Sequence, residues 1–207
     1  MTTSFMTIAE PAFAEGERVK ASRFLARALP TAPEHGLAIA KAALVEARAD
    51  HPDAVHHAYA FRVAPEPEDF GWSDGGEPIG AAGRPILQRL DQLGLINTVV
   101  LVARIPGGQK LATGDLAKGY GDAARAVLAA SQVVPFVPTT RYAIGFDYTL
   151  SGAVQGVLAA YAAKHEGADY GAEVTLTVSI ESAVRAAFEA ALRDASAGRA
   201  KVARVTA

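Results

Sequence analysis

Two stretches of strict alternation on either side of a helical-period segment constrain this chain more than any other feature. Tyr142, Ile144, Phe146 and Tyr148 are apolar at every second position, and so are Val174, Leu176, Val178 and Ile180. A period of two puts each set on one face of a strand. Between them, Ser151 stands at a cap position before Val154, Val157, Leu158 and Tyr161, which share one helical face. A short strand near Ala168–Tyr170, a helix with Val184, Phe188 and Leu192, and a last strand at Lys201–Val205 complete the order βαββαβ. That order is the ferredoxin-like split βαβ. With the alternating sets turned toward the helices, the free sheet face carries Arg141, Ala143, Gly145, Asp147, Thr175, Thr177 and Ser179. It lacks the aromatics on which RNA-recognition sheets stack bases.

The pattern changes upstream of SQVVPFVPTT, whose prolines mark Val133–Pro138 as a linker between domains at 1–132 and 139–207. A chain of 207 residues suits two domains of ordinary size. In the first, Thr7–Phe13 and Val19–Ala28 read as a hairpin turning at Glu15-Gly16-Glu17. A helix follows from Ala32, with Thr31 and Glu34 as a capping box and Leu37, Ala40, Leu44 and Ala47 on its inner face, and His51-Pro52 ends it. His56–Val63 reads as a strand. The Gly/Pro-rich run APEPEDFGWSDGGEPIGAAG reads as one long loop, pinned by Phe70 and Trp72. A helix at Pro85–Leu93, a buried strand at Ile96–Ala103 and a helix from Asp115 to about Ala130 follow. The class is α+β.

Half of the residues are hydrophobic, enough for real cores, and the net charge is −2, so any nucleic-acid role needs a local basic patch. No apolar run reaches the ~18–20 residues of a membrane helix. The N-terminal stretch lacks the basic start and apolar core of a signal peptide, so the expected compartment is the cytoplasm. The absence of cysteine excludes disulfides, thiolate metal sites and cysteine nucleophiles. No HExxH, GxGxxG or Walker pattern occurs, and neither a metal nor a cofactor is expected.

Three constellations could carry chemistry. Asp74 and Glu77 place two carboxylates beside flexible glycines, and with His56 they could supply a hydrolase's acid–base groups. The competing reading is an acidic turn whose carboxylates bind Arg or backbone N–H groups. His56 and His57 are neighbours on a strand and point to opposite faces. Gly107-Gly108 and Gly114 precede a helix and could admit an anion, although Asp115 at the helix start opposes one. Arg84, Arg104, Lys110 and Lys118 lie in or beside the two Gly-bearing loops and would form a basic rim if the loops met.

The segments HPDAVHHAYAF, GWSDGGEPIGAAGRP, VVLVARIPGG and ATGDLAKGYG resemble, in order and spacing, the signatures of the YigZ/IMPACT family. The positions retaining the pattern are His56, Asp74, Glu77, Pro78, Gly83, Arg104, Gly107, Gly108, Gly114 and Tyr120. Gly75 replaces an expected Asp, Ala81 a Thr, and Ile105-Pro106 stands within the expected R-Y-x-G-G. The resemblance implies a first domain like domain IV of elongation factor G, of the ribosomal-protein domain 2 type, and a ferredoxin-like second domain like its domain V. It also implies a non-enzymatic role in translation regulation, with the ribosome, RNA or a translation-control protein as partner. The first-domain loops would be the contact surface. A hydrolase using His56, Asp74 and Glu77 is the alternative, and a protein-interaction module acting through the second domain is a third.

Overall fold

Thr98–Ile105 is apolar almost throughout because helices cover both faces of the strand it forms. The structure, a computed structural model, describes residues 5–32, 35–63 and 69–205. They form two compact units, one ending at Phe136 and the other beginning at Val137.

The first unit contains β1 (Phe5–Ile8), β2 (Ala12–Glu15), β3 (Arg23–Pro30), α1 (Gly36–Asp50), β4 (His56–Val63), β5 (Asp69–Ser73), α2 (Gly83–Gln92), β6 (Thr98–Ile105), α3 (Thr113–Ala130) and β7 (Val133–Phe136). Its main sheet has the order β2-β3-β6-β4-β5, with every neighbouring pair antiparallel. Alternation divides β6 between two cores. Val100 and Val102 join Phe24, Ala58, Ala60 and the inner residues of α2 and α3, while Val99 and Leu101 meet α1 on the opposite face. Small residues let the helices approach closely. At Gly119 of α3, a Cβ would lie 2.4 Å from the Phe24 ring.

Several expectations for this unit are corrected. Thr7–Phe13 is not one strand: Phe5–Ile8 pairs with Val133–Phe136, and only Ala12–Glu15 pairs with β3. Residues Val133–Phe136, expected to be linker, are therefore a strand. Pro135 is tolerated in β7 because this two-stranded ribbon has no third strand demanding its missing N–H. The long loop also contains a strand, β5, which pairs with β4. Leu37 is exposed, and α1 buries Gly36, Ala40, Ala43 and Ala47 instead. Glu34 lies outside the described residues; Thr31 donates its hydroxyl to the Ala32 carbonyl, and α1 starts at Gly36.

The second unit runs β8 (Thr139–Phe146), α4 (Ser151–Ala160), β9 (Lys164–Tyr170), β10 (Val174–Glu181), α5 (Arg185–Ala195) and β11 (Lys201–Val205). The sheet order β11-β8-β10-β9 gives the ferredoxin-like topology. Tyr142, Ile144, Phe146, Val174, Leu176, Val178 and Ile180 pack against Val154, Leu158, Phe188 and Leu192. Tyr148 leaves the alternating set: it sits in a 3-10 turn, half-exposed, and donates to the Gly171 carbonyl. Ser151 does not cap α4, because its hydroxyl donates to the Tyr148 carbonyl. On the open face, Arg141 pairs with Glu166. No helix among the described residues is long and apolar enough to cross a membrane.

Candidate functional site

The acidic loop is folded around one carboxylate. Asp74 follows the last residue of β5. Its Oδ2 accepts the Gly80 N–H at 2.9 Å, and its Oδ1 accepts those of Ala82 and Gly83 at 3.0 and 2.9 Å. The last two belong to the N-terminus of α2, where unpaired N–H groups and the helix dipole favour a negative charge. Ala82, the N-cap residue, has no side-chain acceptor, so Asp74 supplies one from across the loop. The Asp74 carbonyl also accepts the Glu77 N–H, and that of Pro78 accepts the Ala81 N–H. Gly75 has φ +60°, and a Cβ there would lie 2.0 Å from the His57 carbonyl oxygen. The turn as folded here has no room for a side chain at Gly75.

Glu77 turns inward. Its side chain is 4% exposed, and Oε1 accepts from Arg104 Nε at 2.6 Å and from the Tyr120 hydroxyl at 2.9 Å. Arg104, 11% exposed, sits on β6 directly opposite His56 of β4. His56 donates Nδ1–H to the Gly75 carbonyl at 3.1 Å, which leaves Nε2 facing Glu77 Oε2 at 4.0 Å. Tyr120 comes from α3 and is fully buried, edge-on to Phe24 with centroids 5.1 Å apart. Burial, then the Glu77 charge, pushes its hydroxyl far above the ordinary phenol range. Tyr120 is thus a fixed neutral donor.

The proposed acid–base trio does not converge. His56 and Glu77 share a cluster with Arg104 and Tyr120, whereas the Asp74 carboxylate is enclosed by its own loop. The basic rim does not form as expected either. Arg104 is withdrawn into its ion pair, and Lys118 pairs with Asp122 at 2.6 Å and Glu17 at 3.5 Å. Arg84 and Lys110 are exposed and make no ion pair with any described residue. Gly107 serves a close approach, since its Cβ would come 2.2 Å from the Ala21 carbonyl carbon, and its N–H donates to Ser22 Oγ. Gly108 has φ +81°, and Gly114 stands in the first turn of α3. That turn already has its own anion: Asp115 bonds Lys20 at 2.6 Å and accepts the Ala112 N–H.

Phe70 and Trp72, expected to pin the loop, instead project from β5 as a half-exposed stacked pair, with centroids 6.4 Å apart and planes 4° from parallel. Ile79, at the turn of the acidic loop, is 100% exposed. Ile79 is not among the candidate residues read from the sequence, and the buried His57 lies on the α1 side of the sheet, on the opposite face from His56, as its strand position implies. The i, i+2 spacing of Phe70 and Trp72 is the available signal for β5.

Residues 20–128 match the model of the Impact N-terminal domain, and residues 144–199 match a Domain of unknown function (DUF1949). The chain belongs to the IMPACT family. IMPACT family member YigZ of Escherichia coli K12 is 37% identical over 185 residues, covering 88% of this chain and 89% of the relative. An IMPACT family member in the pol 5′ region of Thermus thermophilus is 39% identical over 142 residues, covering 69% and 74%. A crystal structure described as that of a hypothetical protein matches with TM-score 0.70 at 33% identity, covering 100% of this chain and 99% of the other. This member keeps Asp74 and Glu77 of the motif and gives each a hydrogen-bonding task within the fold.

His57 carries a pH prediction. Its imidazole is held below the ordinary histidine range, by burial first and then by the nearby charges of Arg48, His51 and His56, against a backbone hydrogen bond at Ala47. The unfolded chain therefore binds the proton more readily. Stability is fully present above the unfolded value of ~6.5 and is lost as pH falls from there toward the folded value. Denaturation of the first unit, followed by fluorescence of the single tryptophan, Trp72, should show a falling midpoint between pH 7 and 5. His57→Gln should remove up to about 1.4 kcal/mol per pH unit of that slope. An identical slope in the variant would contradict the assignment.

Proposed function

We propose that this IMPACT-family chain is a non-enzymatic binding protein of the translation machinery, with the surface around the acidic loop as its contact. The observation that carries this reading is the occupation of both motif carboxylates. Asp74 holds three backbone N–H groups and Glu77 holds Arg104 and Tyr120, so neither is a free general base. What the loop offers outward is shape, with Ile79 at its turn and Arg84 at the start of α2. The family's likeness to elongation factor G supplies the direction toward translation.

Co-sedimentation of the full-length protein with ribosomal particles at low salt tests the reading, and comigration that weakens with salt is expected. Arg84→Ala with Lys110→Ala should lower the log–log salt slope by about 0.7–0.9 for each phosphate no longer neutralised. An unchanged slope would move the binding surface elsewhere. Protein left wholly in the supernatant at low salt would end the proposal.

A further inference from the structure

The α1 side of the first sheet holds a cavity of about 380 Å³, separate from the Glu77 cluster, where the end of α1 meets the start of β4. Arg48, His51, Pro52, Val55, His57 and Gly75 line it, and none of its lining residues is acidic. The two motif segments HPDAVHH and SDGGEP thus build its wall. Its basic groups pair with no acid among the described residues. Arg48 and His51 make no side-chain hydrogen bond or ion pair with any described residue, and His57 Nε2 is buried without one. Asp50 lines an adjoining groove that shares His51 with the cavity and also contains Arg23 and Arg27, and Asp53 interacts with Arg23.

Cations gathered at a concave surface without a counter-charge raise one another's electrostatic cost, and an anion relieves it. The charged groups acting on His57 are Arg48 and His51 from the end of α1 and His56 from its own strand, all of them basic. The volume lies within the ordinary range of small-ligand sites. Guanidinium and imidazole donors suit a tetrahedral oxyanion, which accepts several charge-assisted hydrogen bonds at once.

We propose that this cavity is a phosphate-binding site, with the Arg48 guanidinium and the His51 imidazole as donors and His57 as part of its wall. The phosphate group is either free, as inorganic phosphate or on a small molecule, or part of a nucleic-acid backbone. The site does not depend on the partner proposed above, since Arg84, Lys110 and Ile79 do not line it.

The test is an NMR titration of the full-length protein with inorganic phosphate, reading the imidazole resonances of its five histidines. Saturable shifts confined to His51, His57 and neighbouring residues are expected. Arg48→Ala should weaken binding at least ten-fold, and His51→Ala should weaken it several-fold. Arg125→Ala, which removes an exposed charge on α3, should leave the titration unchanged. A short oligouridylate that binds more tightly and displaces phosphate would assign the site to a nucleic-acid backbone. Preference for inorganic phosphate would assign it to a free ligand. Absence of saturable shifts at tens of millimolar phosphate, or shifts that persist in Arg48→Ala, would overturn the proposal.

Discussion

Glu77→Ala is expected to cost the first unit about 3–5 kcal/mol, because it strands the buried Arg104 charge. Two buried groups lose their acceptor at once: Arg104 Nε and the Tyr120 hydroxyl. The damage comes from the charge left behind, so Arg104→Ala should also be severe, and the double variant should cost much less than the sum. That non-additivity is the signature of a coupled pair. Glu77→Gln should fall between, since an amide oxygen can still accept from Tyr120 but brings no charge to Arg104. Urea denaturation followed by Trp72 fluorescence reads all four proteins in the unit concerned. Single variants within ~0.5 kcal/mol of the parent, the range of ordinary surface substitutions, would show that the ion pair contributes little.

Asp74→Ala is expected to lose about 2–4 kcal/mol, since three backbone N–H groups are deprived of a charged acceptor and α2 of its cap. Asp74→Asn separates this role from catalysis. Its oxygen can still serve Ala82 and Gly83, but its NH₂ group would face the Gly80 N–H, donor against donor. The expected result is a loss about half as large, with hydrogen exchange quickened first at Gly80. A catalytic aspartate would behave differently, because Asn would remove activity and leave exchange at these amides unchanged.

The second unit is legible in the sequence because its two alternating segments bury one face only, so each residue's environment follows from its parity. Tyr142, Ile144 and Phe146 obey that rule, and Tyr148 breaks it because the chain turns after Phe146. In the first unit, β6 declares itself by continuous apolar character, the mark of a strand covered on both sides. Elsewhere local composition misleads. Asp69–Ser73 lies among glycines and prolines, and only pairing with Tyr59–Val63 makes it a strand. Val133–Phe136 looks like linker until Phe5–Ile8 pairs with it. Leu37 outranks alanine in hydrophobicity, yet α1 packs through Ala40, Ala43 and Ala47, because small residues permit the closer approach.

The site is half-legible for a similar reason. Sequence places Asp74 and Glu77 three residues apart, but their roles depend on partners brought in by folding. Arg104 is 27 positions beyond Glu77, and Tyr120 is 43 beyond it. An arginine beside glycines resembles a phosphate ligand until the strand carrying it lies across from a buried carboxylate. The reading of the acidic motif as a turn binding Arg and backbone N–H groups needs no distant information for Asp74, whose partners lie six to nine residues on.

If the acidic loop is a contact surface, replacing its fully exposed apolar residue by Ile79→Asp should break the contact. Ile79 is fully exposed and buries nothing within the unit, so the variant should keep the parent's denaturation midpoint. Co-sedimentation with ribosomal particles at low salt, parent against variant, is the measurement. Parent protein should pellet with the particles, and Ile79→Asp should stay largely in solution. Equal pelleting of the two proteins would place the binding surface away from this loop.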